Sequence, residues 1–228
     1  MSFNASHPLP YNASDPNATF LSASSLDFLL IELVPLSRRI AAAQLPPPLQ
    51  AASASASASA SAAPPQPSSS APEAKHPEGQ PPPHGIDDEE VLDAMRHRLD
   101  SVGYRVGQGL VEKFSRDRPR FNDTLDVIKF MCKDLWSLVF GKNIDNLKTN
   151  HRGVYVLTDN HFRPFARMST ATGGQAIARA QPFLWLPCGI IRGALAALGI
   201  DATIQAEINE LPGAVFQIKT NSSRTLAT

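Results

Sequence analysis

From Leu92 to Val106 the apolar residues Leu92, Met95, Leu99, Val102 and Val106 recur at spacings of 3, 4, 3 and 4, the repeat of one helix face. Asp87, Asp88, Glu89 and Glu90 precede them, where a helix N-terminus favours negative charge. Gly103, Gly107 and Gly109 fall inside the same pattern, each at a cost of roughly 1 kcal/mol relative to Ala. The expected compensation is another backbone, of a partner or of the chain itself, packed close against a smooth face. A second stripe, Leu125, Ile128, Cys132, Leu135, Trp136 and Val139, follows a cap at Asn122 or Asp123 and stops at Gly141. Upstream, Ser25 is the expected N-cap of a helix over Leu26–Val34 that Pro35 ends, or bends and lets run to Ala43. Its Leu26, Phe28, Leu29, Leu30, Ile31, Leu33 and Val34 cover nearly the whole circumference, so it needs cover on several sides. Either it is a central core helix, or one side lies on its own domain and the other is left for a partner.

The pattern changes period further on. Gly153–Thr158 and Phe162–Met168 read as two strands turning at Asp159-Asn160, with Pro164 confining the second to an edge or a bulge. Gly173-Gly174 marks a loop, and a helix from Pro182 or Pro187 to Leu198 stops at Gly199. Ala202, Ile204, Ala206 and Ile208 alternate with Thr203, Gln205, Glu207 and Asn209, a strand with one wet face, and Pro212-Gly213 turns the chain back into Val215–Lys219. The sum is an α+β fold, helices packed on one face of a four-stranded antiparallel sheet.

Composition divides the chain. Residues 46–85 hold 11 of the 20 prolines and a Ser-Ala alternation from Ala52 to Ala62, with almost no large apolar residue after Leu49. Such a segment cannot bury enough surface to offset the entropy of ordering it, and is expected to be a disordered linker. Residues 1–20 and 221–228 read as disordered tails, 21–45 as the first helix of the domain and 86–220 as its main part. A formal net charge of zero offers no field for nucleic acid phosphates or an anionic bilayer. Cys132 and Cys188 both sit in apolar helical contexts, which fits buried thiols of a cytosolic protein rather than a disulfide framework. No basic segment followed by an apolar core opens the chain, and no apolar run is long enough for a membrane span.

Catalytic chemistry is not evident. His97, His151 and His161 lack Cys, Asp or Glu at ligand spacing, so neither metal nor cofactor is expected. The glycines after Gly103 are followed by no Lys-Ser/Thr and preceded by no strand, which removes a phosphate loop. Cys188 paired with His151 would be a nucleophile only if its environment were polar, and Pro187 and Gly189 place it on an apolar helix. Arg192, the one charge between Pro187 and Leu198, is expected to pair with a carboxylate or cap carbonyls within the chain.

Three segments carry a family resemblance: Gly103-Tyr-Arg-Val-Gly-Gln-Gly-Leu110, residues Phe130 to Asn150, and Cys188-Gly-Ile-Ile-Arg-Gly-Ala-Leu195. In this order they resemble a small subunit of the transport protein particle (TRAPP), of the sixth-subunit type, over residues 87–219 with a weaker match at 25–36. The resemblance implies a non-catalytic subunit of a vesicle tether, forming a heterodimer with the third-subunit type inside a complex that contacts other TRAPP subunits and activates a Rab-family GTPase. It implies a cytoplasmic protein, held at Golgi and ER-Golgi membranes only through the complex. The dimer contact of the family involves its two N-terminal helices, which here makes Phe28, Leu29, Leu33, Met95, Leu99, Val102, Val106, Gly107 and Leu110 the candidate partner interface. Third-subunit relatives carry an acylated cysteine, and the matching loop Asp117–Phe121 has none, so lipidation does not carry over. The rival reading is a module for a small apolar ligand or acyl chain, with Phe183, Leu184 and Trp185 lining its cavity.

Overall fold

In the computed structural model the described residues are 22–44, 86–150, 152–168 and 173–221. The expected linker at 46–85, nearly all of both expected tails and His151 lie outside them. The first helix, α1, spans Ala23–Gln44 with Pro35 inside it. It starts two residues before the expected cap, because Ser22 takes that role: its hydroxyl accepts from the Ser24 amide at 3.4 Å and its carbonyl from Ser25 at 3.0 Å. The helix α2 spans Ile86–Phe114.

The second expected stripe forms one helical rod in three parts, α3 (Thr124–Phe130), a π-helical turn Met131–Leu135 and α4 (Trp136–Phe140). Asp123 caps it, accepting from the Asp126 amide at 2.6 Å. Gly141 ends it in the left-handed region at φ 77°. The π turn has a local use, since the Cys132 carbonyl also receives the Ile144 amide at 3.0 Å and docks the returning chain on the rod.

The sheet has the order β1 (Asn146–Thr149), β2 (Val154–Asp159), β4 (Ala214–Thr220), β3 (Ala202–Glu207), all antiparallel. Two sequence expectations are corrected here. Phe162–Met168 is not a strand: Phe162 is fully buried and Arg163–Phe165 is a 3-10 turn with Pro164 in its first positions. A proline has no amide for a ladder but suits the opening of a helical turn. The partner of β2 is instead Asn146-Leu-Lys-Thr149, whose single large apolar residue gave no strand signal. Its hairpin is closed by the Asn150 side chain, which accepts from the amides of Arg152 at 2.9 Å and Val154 at 3.1 Å, and by Gly153 at φ 82°. Likewise Gly173-Gly174 opens a helix, α5 (Gly173–Ala180), rather than marking a loop.

A 3-10 segment Gln181–Leu184 leads into α6 (Trp185–Ala197), with Pro187 in its first turn and Gly199 at φ 78° beyond its end. The helices cover the sheet face that carries Tyr155, Leu157, Phe216 and Ile218. At its centre Trp136 meets Phe216 edge-on, ring centroids 5.2 Å apart, and Phe140 and Phe162 complete the cluster. The buried Asp159 is satisfied by the Trp136 indole N–H at 2.9 Å, the Lys142 ammonium at 2.7 Å and the His161 amide at 3.1 Å. Burial opposes charge on Lys142, but its bonds to Asp145 and Asp159 prevail and hold its pKa above the ordinary value.

Candidate functional site

The two N-terminal helices build a surface whose inner and outer sides differ. On one side α2 lies parallel to α6 with the backbones in contact. A Cβ added to Gly103 would overlap the Leu186 carbonyl and stand 2.9 Å from the Ile190 amide nitrogen. One on Gly107 would overlap the Ile190 carbonyl and stand 2.8 Å from the Ala194 nitrogen. The relation is reciprocal, because a Cβ on Gly189 or Gly193 would run into the carbonyl of Asp100 or Tyr104. The compensation that the helix glycines demand is therefore the chain's own helix. Gly109 does not share it: nothing lies within 4 Å of the Cβ it lacks.

On its other side α2 is crossed by α1. Ala41, Met95 and Leu99 form a small buried core there, joined by Leu33, Val34, Val91, Ala94 and Trp185. Met95 and Leu99, at 2% and 0% exposure, are thus interior to the chain rather than open to a partner, and Gly107 is covered by α6. Leu33 is half-buried in the small core and Leu110 against the main one. Of the candidate residues the exposed ones are Phe28 (66%), Leu29 (58%), Val102 (38%) and Val106 (43%). Ile31, Leu36 and Leu92 are exposed as well and were not singled out. The signal for them was present, since Ile31 belongs to the all-round apolar helix and Leu92 opens the α2 stripe. Periodicity groups the stripe but does not say that α1 covers its middle and leaves Leu92 at one end and Val102 and Val106 at the other.

Polar contacts fix this arrangement. The Arg163 Nε donates to Asp27 Oδ1 at 2.7 Å, and Arg167 Nη2 lies 3.5 Å from Asp27 Oδ2, tying the start of α1 to the turn after β2. The hydrogen bond from Arg163 is the main reason the Asp27 carboxyl titrates below its ordinary value. At the far end Arg98 Nη2 donates to Gln44 Oε1 at 2.6 Å. Arg192 pairs with Asp100 and stacks on Tyr104, 4.6 Å from the ring centroid, which is the internal role expected of it.

The residues proposed for a ligand cavity divide between two clefts: Phe183 borders one at α1, while Leu184, buried in the main core, and Trp185, packed on the α1–α2 core, both line a second, more polar one. In the loop Asp117–Phe121, Arg118 pairs with Asp134 at 2.5 Å and lies over the Phe130 ring at 4.8 Å. Burial pushes the Cys132 thiol up to about 12, and burial with Asp100 nearby does the same for Cys188, so neither is a ready nucleophile. Among the described residues no three metal-ligating side chains converge, and no helix is long and apolar enough to cross a membrane.

The structure is thus an α+β domain with large apolar side chains exposed on two adjoining helices and with thiols held protonated by burial. Residues 26–221 match the model of the family described as transport protein particle (TRAPP) component, and the chain belongs to that family. It is similar to the trafficking protein particle complex subunit 6b of Danio rerio, 50% identical over 121 residues, which are 53% of this chain and 76% of that one. It is also similar to subunit 6A of Homo sapiens, 47% identical over 120 residues, 53% of this chain and 74% of the relative. These relatives mark the sixth-subunit type and make the chain a component of a vesicle-trafficking complex. A solved structure, subunit 3 from Naegleria fowleri covalently bound to palmitic acid, aligns with a TM-score of 0.45 at 16% identity, covering 57% of this chain and 82% of that one.

Proposed function

We propose that this chain is a non-catalytic building subunit of TRAPP that pairs with the third-subunit type, and that the pair supports nucleotide exchange on a Rab GTPase in ER-to-Golgi and Golgi traffic. The observation that carries the reading is the exposure of Phe28, Leu29, Ile31 and Leu36 on α1 and of Val102 and Val106 on α2, large apolar side chains on the helices by which this family pairs. Membrane attachment on this reading comes through the complex, at the cytoplasmic surface of Golgi and ER-Golgi membranes.

The test is purification of the full chain alone and coexpressed with its third-subunit counterpart, with mass read by light scattering. The chain alone is expected to self-associate, and the pair to run as a 1:1 dimer that Val106→Asp abolishes. A monodisperse monomer at high concentration that ignores the counterpart overturns the proposal. Exchange assays on complexes reconstituted with and without the chain then read its share in GTPase activation.

A further inference from the structure

One cleft opens directly onto the exposed side of α1. Asp27, Leu30 and Ile31 form its helical wall, Arg163, Pro164, Ala166 and Arg167 its opposite wall, and Phe183 the remainder. Its volume is about 270 Å³, against roughly 150 Å³ for an engineered cavity that takes benzene. An aromatic or large aliphatic side chain fits with room for its own backbone. Its lining is mostly apolar, with Asp27, Arg163 and Arg167 as the charged members. Asp27 uses one oxygen for Arg163 and leaves the other near Arg167, whose side chain is 66% exposed. The exposed Arg167 guanidinium beside low-dielectric walls is a setting that favours a further carboxylate.

The identity of the occupant follows from continuity. Ile31 belongs both to the cleft and, with Phe28 and Leu29, to the exposed apolar side chains of α1. A small molecule would fill the cleft and leave those side chains in water, whereas a protein segment covers both. We infer that the cleft is the receptor for one large apolar side chain of the pairing subunit, presented next to an aspartate or glutamate that bonds Arg167. This rests on the reading of α1 as a pairing surface and adds to it a specific anchor with a stated chemistry.

The full chain with its third-subunit counterpart provides the test, with affinity measured by titration calorimetry and folding checked by thermal melting. Ala166→Trp fills the cleft from its rim, and Arg167→Glu reverses the rim charge; Arg167→Lys keeps the charge. The expected result is at least tenfold weaker pairing for both Ala166→Trp and Arg167→Glu, near-normal pairing for Arg167→Lys, and isolated chains that all still melt cooperatively, Arg167→Glu at a lower temperature because it loses its contact with Asp27. Pairing within twofold of the parent for either disruptive variant, while Val106→Asp still abolishes the dimer, overturns the anchor and leaves the pairing surface standing. Normal pairing of Val106→Asp removes the surface and the anchor together.

Discussion

At the residue scale the glycines of α2 separate into two kinds with opposite expected behaviour. Gly107→Leu must push its side chain into the Ile190 carbonyl, and overpacking of this sort costs about 1–3 kcal/mol. Gly109→Ala meets only open space, so the propensity gain of up to roughly 1 kcal/mol should appear as added stability. Denaturant titration of the isolated variants reads both signs. Sequence alone identified all three glycines as costly but could not say which of them met a neighbour. The face each one presents is decided by α6, and nothing in the local pattern around Gly103 points to Gly189 and Gly193. The same holds for Asp27 and Arg163, a pair separated by 136 positions. Because Asp27 titrates below its ordinary 3.8, the pair's contribution is whole above that value and is lost as pH falls through the lowered one. Melting curves of the parent and Asp27→Asn should therefore lie apart near neutrality and converge in acid; equal curves at pH 7 would deny the pair a stabilising part.

At the scale of elements the test falls on the division of α2 between an inner and an outer segment of one stripe. Leu99→Ala empties a fully buried site and should cost about 2–5 kcal/mol in the chain by itself. Val106→Ala, at an exposed site, should stay within about 0.5 kcal/mol yet weaken pairing with the counterpart. Equal thermal shifts for the two would show that the stripe is uniformly buried. Long elements were legible: α2, the rod of α3 and α4 and the alternating β3 lie where the apolar spacing puts them, and α6 lies between the prolines and the glycine that bound it. The stretch from Asp145 to Met168 was not. There β1 is short and polar, its turn depends on the Asn150 side chain, and the apolar run from Phe162 belongs to the core through a 3-10 turn instead of a ladder. The outer residues of α1 were legible only as excess hydrophobicity, because a helix apolar all round carries no information on which side its own domain takes.

For the whole molecule, the composition of the stretch between α1 and α2 leads to the expectation that it bears on stability through chain closure alone. Gln44 reaches Arg98, and at 1.5 Å per helical residue the start of α2 lies about 18 Å from there. About six extended residues cover that distance. Replacing residues 45–85 by a twelve-residue Gly/Ser connection should shift stability by no more than about 1 kcal/mol, since each doubling of loop length changes closure entropy by about 0.6 kcal/mol. A loss of several kcal/mol in a melting experiment would show that the replaced segment packs on the domain. The parallel seam between α2 and α6 has a different consequence, one of timing. Gly189 lies 86 residues after Gly103, and Gly193 the same number after Gly107. At a synthesis rate of about 5–20 residues per second, α2 leaves the ribosome roughly 4–17 s before the helix that seals its glycine face exists. During that interval the glycine face of α2 is bare on the nascent chain while α1, made earlier, is available for the other, so a chaperone or counterpart that binds cotranslationally would meet a target that the closed domain no longer offers.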